Sequence, residues 1–136
     1  MNLTAHVSYN GRCEEAFGYY EKHLGGKIQM MMTHAGTPAE SHVPAEWKQK
    51  IMHGRIAIGD SLLMGVDAPP GRYEAPKGFS ISLRVGSAAE AERSFRALSD
   101  NGAVQMPMQQ TFFAARFGMT VDQFGIPWIV VCEQEA

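Results

Sequence analysis

This chain spells the same order of elements twice. Leu3 to Asn10 alternates apolar and polar residues, and so does Phe79 to Val85, the mark of a strand with one buried face. Each is followed by a helical pattern that stops at glycine, and each helix by three further β segments. A chain that writes strand–helix–glycine–three strands twice, about half a chain apart, is an internal duplication of structure with weak sequence similarity. Asp67 to Pro76, with its prolines and glycine, reads as the linker. A single domain over 1–136 is expected, with unit one at about 1–68, the linker at about 69–77 and unit two at about 78–136.

In the first half, Leu3, Ala5, Val7 and Tyr9 share one strand face, and Thr4, His6, Ser8 and Asn10 the other. A helix is expected from about Arg12 to Leu24. Glu14 and Glu15 sit in its first turn, where carboxylates suit the helix dipole, and Ala16, Phe17, Tyr20 and Leu24 form its buried stripe. Gly25-Gly26 suits a left-handed cap. Strands follow at Lys27 to His34, Lys50 to Gly59 and Ser61 to Val66; on the middle one, Gly54, Ile56 and Ile58 oppose His53, Arg55 and Ala57. The stretch 35–49 has two prolines and no clear period, and loops of that length are often lids or partly disordered. In the second half, Ser87-Ala88-Ala89-Glu90 is a capping box, and the helix buries Ala91, Phe95 and Leu98 before a glycine cap at Asn101-Gly102. Three β segments are expected at Val104 to about Gln110, Ala115 to Val121 and Ile126 to Cys132.

Charge narrows the functional classes. A net charge of −2 leaves no electrostatic footprint for nucleic acid or an anionic membrane, and no run is long enough to span a bilayer. Cys13 and Cys132, without a signal peptide, are expected as free thiols in a reducing cytoplasm. Nine methionines are many for this length; the adaptable thioether suits a tolerant pocket wall, and equally a soft core.

The most distinctive stretch runs from Met106 to Trp128. Pro107 limits strand pairing, Asp122-Gln123-Phe124-Gly125 is a turn, and aromatics and methionines crowd around Arg116. It reads as the wall of an apolar cavity or as core. This block, with Asn10-Gly11-Arg12-Cys13-Glu14-Glu15-Ala16-Phe17, Tyr19-Tyr20, Leu24-Gly25-Gly26, Met52-His53, Ile58-Gly59-Asp60, Leu63-Met64 and Asp67-Ala68-Pro69-Pro70, resembles the vicinal-oxygen-chelate superfamily (glyoxalase/bleomycin resistance/dioxygenase), and in particular its PhnB-like branch. Members of that branch often carry Trp where this chain has Phe113.

The resemblance implies an α+β fold: two βαβββ units forming a curved mixed β-sheet half-barrel, helices on the convex side, ligand on the concave side. It also implies a homodimer. Metal-using members place His or Glu at four concave positions. Here the first position falls on Ala5 or Thr4, its counterpart near Ser80, and the last strands offer Leu62 or Met64 and Ile129. An aliphatic side chain cannot ligate a metal. Some members carry a methyltransferase label, yet no glycine-rich strand–turn–helix nucleotide signature is present.

His6 and His53 lie opposite the apolar stripes. They are half-exposed histidines, or they face a cavity as acid and base or as metal ligands. His23, His34 and His42 are assigned to solvent. Arg55, Arg84 and Arg116 are solvated stems or two-pronged anion contacts. Cys13, at a helix start, has a lowered pKa or is simply buried. The expected site binds a small apolar or aromatic molecule without metal or other cofactor: Met64, Phe112, Met119 and Ile129 form the wall, and His6, His53, Ser80, Ser82 and Arg116 the polar contacts. The alternatives are a lyase, isomerase or dioxygenase using one divalent metal through His6 and His53, or an antibiotic-sequestering protein.

Overall fold

A computed structural model of the chain describes residues 1–133. The chain forms two compact units, with the break between Glu74 and Ala75. The end of the expected second unit, 134–136, lies outside the described residues.

The first unit contains β1 (Ala5–Tyr9), α1 (Cys13–Leu24), β2 (Lys27–Thr33), β3 (Ile51–Ile58) and β4 (Ser61–Asp67). Its sheet runs β1-β4-β3-β2, with β1 parallel to β4 and the other pairs antiparallel. Cys13, Ala16, Phe17 and Tyr20 of α1 are buried, as are Val7, Tyr9, Ile56 and Leu63 of the strands. Phe17 fills a hollow that two glycines leave: a Cβ on Gly54 would lie 3.2 Å from its ring, and one on Gly65 2.8 Å. The Tyr9 hydroxyl donates to that of Tyr20 at 3.2 Å, so the core polar atoms find each other. Gly25, in the left-handed region at φ 69°, ends the helix.

The second unit repeats the plan: β5 (Ile81–Val85), α2 (Ala88–Ser99), β6 (Ala103–Gln109), β7 (Ala114–Val121) and β8 (Pro127–Glu133), in sheet order β5-β8-β7-β6. The helices match position by position: buried Cys13, Ala16, Phe17 and Tyr20 have the spacing of buried Ala91, Ser94, Phe95 and Leu98. Phe95 sits over Gly118 as Phe17 sits over Gly54. A β-bulge follows Ile28 in β2 and Val104 in β6, so even the irregularity is duplicated. The fold is therefore α+β, two four-stranded mixed sheets with one helix each, neither closed into a barrel.

Four local expectations are corrected. Asp67 is not linker: it ends β4, is 3% exposed, and accepts the N–H groups of Cys13 at 2.9 Å and Ile51 at 2.8 Å. It thereby staples the first turn of α1 to the start of β3. The left-handed residue after α2 is Asn101, at φ 57°. Gly102 is small for another reason, since a Cβ there would come within 2.2 Å of the Val121 carbonyl oxygen. His34 is buried, its Nδ1 3.1 Å from the Lys50 carbonyl oxygen. The stretch 35–49 holds two short 3₁₀ turns, Pro38–His42 and Ala45–Trp47, the first capped by the Thr37 hydroxyl accepting from Ala39 N–H.

Candidate functional site

Side chains alternate across a strand, so the face of each sheet turned away from its helix can be read from the pairing. In the first unit the register aligns His6, Met64, Arg55 and Met30 in one row across all four strands. His53 and Met32 pair in the neighbouring row. In the second unit the equivalent row is Ser82, Ile129, Met119 and Met106. Both rows thus run from a polar residue on the first strand to methionine on the outer one. Met64, Arg55, Met30, Ile129 and Met119 are half-buried, while His6 and Ser82 are exposed.

Six of the expected site residues fall on these faces: His6, His53 and Met64 on one sheet, Ser82, Met119 and Ile129 on the other. Three do not. Arg116 shares its strand face with Gly118 and Thr120, toward α2, where its Nε donates to Glu92 at 3.1 Å. Arg116 and Met119 are three residues apart on one strand, so alternation alone sets them on opposite faces, and the ion pair with Glu92 holds the arginine on the helix side. Phe112 is 95% exposed in the turn between β6 and β7, stacked edge-on against Phe113 with ring centres 5.2 Å apart, and forms no wall. Ser80 precedes β5 and is half-buried outside the ladder.

The remaining arginines sort themselves by their partners. Arg84 pairs with Glu133 at 3.1 Å. Arg55 has no carboxylate partner among the described residues, and its Nε is buried without a hydrogen bond. Sequence alone ranked it no higher than the other two, because partner and burial are properties of the fold.

Cys13 resolves to the inert reading. It is fully buried, and burial pushes its thiol pKa far up, with the carboxylates of Asp67 and Glu14 adding to the rise. Cys132 is also buried, and both thiols are free.

The fold family's metal chemistry does not fit these residues. On the helix-free faces the first and last strands pair His6 with Met64, Ser8 with Val66, Ser82 with Ile129 and Arg84 with Val131, and only His6 among these is a good metal donor. Among the described residues no three His, Cys, Asp or Glu side chains come together. The 35–49 segment holds an open cleft of about 530 Å³ lined by Thr37, Pro38, Glu40, Val43 and Lys48. Its walls are 3₁₀ turns and connecting loop bridged by a Lys48–Glu40 ion pair at 3.7 Å, and none of the expected site residues lines it. What this segment does have is an anchor: Lys50 Nζ donates to the Gly11 carbonyl at 2.8 Å and stands 5.9 Å over the Trp47 ring. No helix among the described residues is long and apolar enough to cross a membrane.

Comparison with known proteins agrees with this architecture. The family model described as 3-demethylubiquinone-9 3-methyltransferase matches residues 1–131. Protein YjdN of Escherichia coli K12 is 30% identical over 96% of this chain and 94% of its own length. The crystal structure of protein PA1353 from Pseudomonas aeruginosa is 48% identical, covers 99% of both chains and superposes with a TM-score of 0.89. The PhnB protein from Bacillus cereus shares the fold at 18% identity and a TM-score of 0.81, covering 97% of this chain and 99% of its own. A glyoxalase/bleomycin resistance/dioxygenase domain from Frankia sp. EAN1pec shares it more distantly, at 10% identity and 0.64 over 98% of both chains. With a family model spanning nearly the whole chain and two duplicated βαβββ units behind it, the chain belongs to the PhnB-like family described as 3-demethylubiquinone-9 3-methyltransferase, within the glyoxalase/bleomycin-resistance fold.

Proposed function

We propose that the protein binds a small apolar or aromatic molecule on the helix-free faces of its sheets, without a metal, and acts as a homodimer. The observation that carries this reading is the row His6–Met64–Arg55–Met30, with its counterpart Ser82–Ile129–Met119–Met106. Each sets thioether or aliphatic side chains in the middle of a sheet, half-buried, with hydrogen-bonding groups on the same face. That is the composition of a tolerant apolar binding surface with a few orienting groups. The methyltransferase activity in the family's description draws no support from these residues: the strand-to-helix turns read Asn10-Gly11-Arg12 and Gly86-Ser87, not a glycine-rich nucleotide loop.

A thermal-shift screen of apolar and aromatic compounds tests the reading. Hits are expected to raise Tm progressively with ligand concentration, and Met64→Glu to weaken them at least about tenfold, because a carboxylate there occupies the middle of the face and pairs with the neighbouring Arg55. A screen whose hits bind Met64→Glu as well as the parent chain removes the reading.

A further inference from the structure

We infer that Arg55 is the anchor for a carboxylate, so that the ligand of this face is an amphipathic organic acid: an apolar body bearing one carboxylate. The inference rests on the binding reading above and adds the chemical class. Three arginines stand on the strands, and two are satisfied within the fold, Arg84 by Glu133 and Arg116 by Glu92. Arg55 is the third. It is half-buried in the middle of β3, flanked in its row by Met64 and Met30, and its Nε–H is shut away from solvent with nothing to donate to. A buried donor without an acceptor costs free energy comparable to a lost hydrogen bond, and more when the group is charged. The other such atom among the described residues is the neutral Trp47 Nε1, outside the sheets, whereas Arg55 is a charged group in the middle of a strand, where an outside acceptor gains most.

The row limits what that is. No Asp or Glu lies on the helix-free face of β1 to β4 among the described residues, so the acceptor is not built in. The guanidinium presents two parallel N–H donors whose spacing matches the two oxygens of a carboxylate. Lys27, at the outer edge strand, is exposed, so among the described residues Arg55 is the one half-buried Arg or Lys on this face. One fixed positive charge neutralises a monoanion, whereas a phosphate dianion calls for more than one. Met64 and Met30 pair with Arg55 on its two sides, and Met32 lies in the next row opposite His53, so the same face carries polarizable apolar side chains. His6, about 10 Å away across β4 by strand spacing, and His53, two residues along β3, are positioned to bond polar substituents on the acid.

The test uses the full-length chain with its methionine methyls labelled with ¹³C. Benzoate, its neutral isostere benzamide, and phenyl phosphate are titrated separately while the Met30 and Met64 methyl signals are followed by NMR. Benzoate is expected to shift both signals and to bind at least about tenfold more tightly than either other probe. Arg55→Gln is expected to lower benzoate affinity at least about tenfold and leave benzamide unchanged. Arg55→Lys keeps the charge but not the fork, is expected to fall between, and guards against a folding defect in the first variant. Equal binding of benzoate and benzamide, unaffected by either substitution, overturns the anchor and leaves the apolar binding reading standing. Tighter binding of phenyl phosphate overturns the carboxylate assignment. No shift of Met30 or Met64 by any probe overturns both readings together.

Discussion

Asp122 accepts the indole N–H of Trp128 at 2.8 Å, six residues further along the chain, and both side chains are buried. The other oxygen of the same carboxylate takes the backbone N–H groups of Phe124 at 2.9 Å and Ile126 at 3.0 Å. One side chain thus shapes the β7–β8 turn, with Gly125 supplying φ 92°, and fixes the largest ring of the second core. Removing the carboxylate takes the acceptor from three donors in a buried turn. Asp122→Ala is expected to cost about 3 kcal/mol or more, and Trp128→Phe, which removes one of the carboxylate's donors, about 1–3 kcal/mol. Urea unfolding of the two variants checks the order: Trp128→Phe costing more than Asp122→Ala would show that ring packing, not the carboxylate, holds this turn.

The glycines under the two helix phenylalanines make a second prediction. A Cβ on Gly65 would meet the Phe17 ring at 2.8 Å and the Tyr9 ring at 3.1 Å, and one on Gly118 would meet Phe95 at 2.8 Å. Overpacking a filled core costs about 1–3 kcal/mol, so Gly65→Ala and Gly118→Ala are expected to destabilise by that amount. Gly18, on the exposed side of α1, has nothing within 4 Å of such an atom. Gly18→Ala is expected to stabilise by about 0.5–1 kcal/mol, the gain of alanine over glycine in a helix. Chemical denaturation of the three single variants gives the comparison, and similar effects in all three would contradict the packing argument.

Much of this fold was readable in the chain, and the reasons for the exceptions are physical. The period-two patterns of β1 and β5 and the glycine after α1 are local signals, and local rules found them. Asp67 reads as linker because two prolines follow it, yet its partners, Cys13 and Ile51, lie 54 and 16 residues away. Arg116 is a different case: its odd spacing from Met119 already sets the two on opposite strand faces, and only its partner Glu92, on a helix 24 residues earlier, depends on the fold. Phe112 looked like a pocket wall by composition, and its place at a hairpin tip depends on where β6 ends. Arg55 differs from Arg84 and Arg116 only in its partners, and these are set by the fold, not by its place on a strand.

Cys13 carries a pH prediction. Its thiol sits far above the ordinary value of 9.0 because the folded state buries it beside Asp67 and Glu14. A raised pKa means that the folded chain holds this proton more tightly than the unfolded chain does. Its contribution is therefore complete below the unfolded thiol pKa and is lost progressively as pH rises above it. Stability is expected to fall above about pH 8.5 with a slope approaching 1.4 kcal/mol per pH unit from this one group. Cys13→Ala removes that slope. Denaturation of both proteins from pH 7 to 10.5 isolates the difference, and parallel curves would show that the thiol does not share in the alkaline loss.

The last prediction concerns metal. In each unit the first and last strands bring two pairs of side chains together on the helix-free face: His6 with Met64 and Ser8 with Val66 in one, Ser82 with Ile129 and Arg84 with Val131 in the other. Thioether and aliphatic groups replace carboxylates where a hard divalent ion needs oxygen, and Met64 stands in the row between His6 and the strand that carries His53. A single imidazole gives only weak, exposed binding. Elemental analysis of untagged protein purified without chelator is therefore expected to find no stoichiometric divalent metal, before or after loading with zinc, nickel or manganese. Loading is also expected to leave Tm unchanged, where saturation at a hundred times Kd would add about 2.7 kcal/mol. About one metal ion per chain, lost in His6→Ala or His53→Ala, would instead mean that these histidines find a further donor, and the search for a ligand would turn from apolar acids to oxygen-chelating substrates.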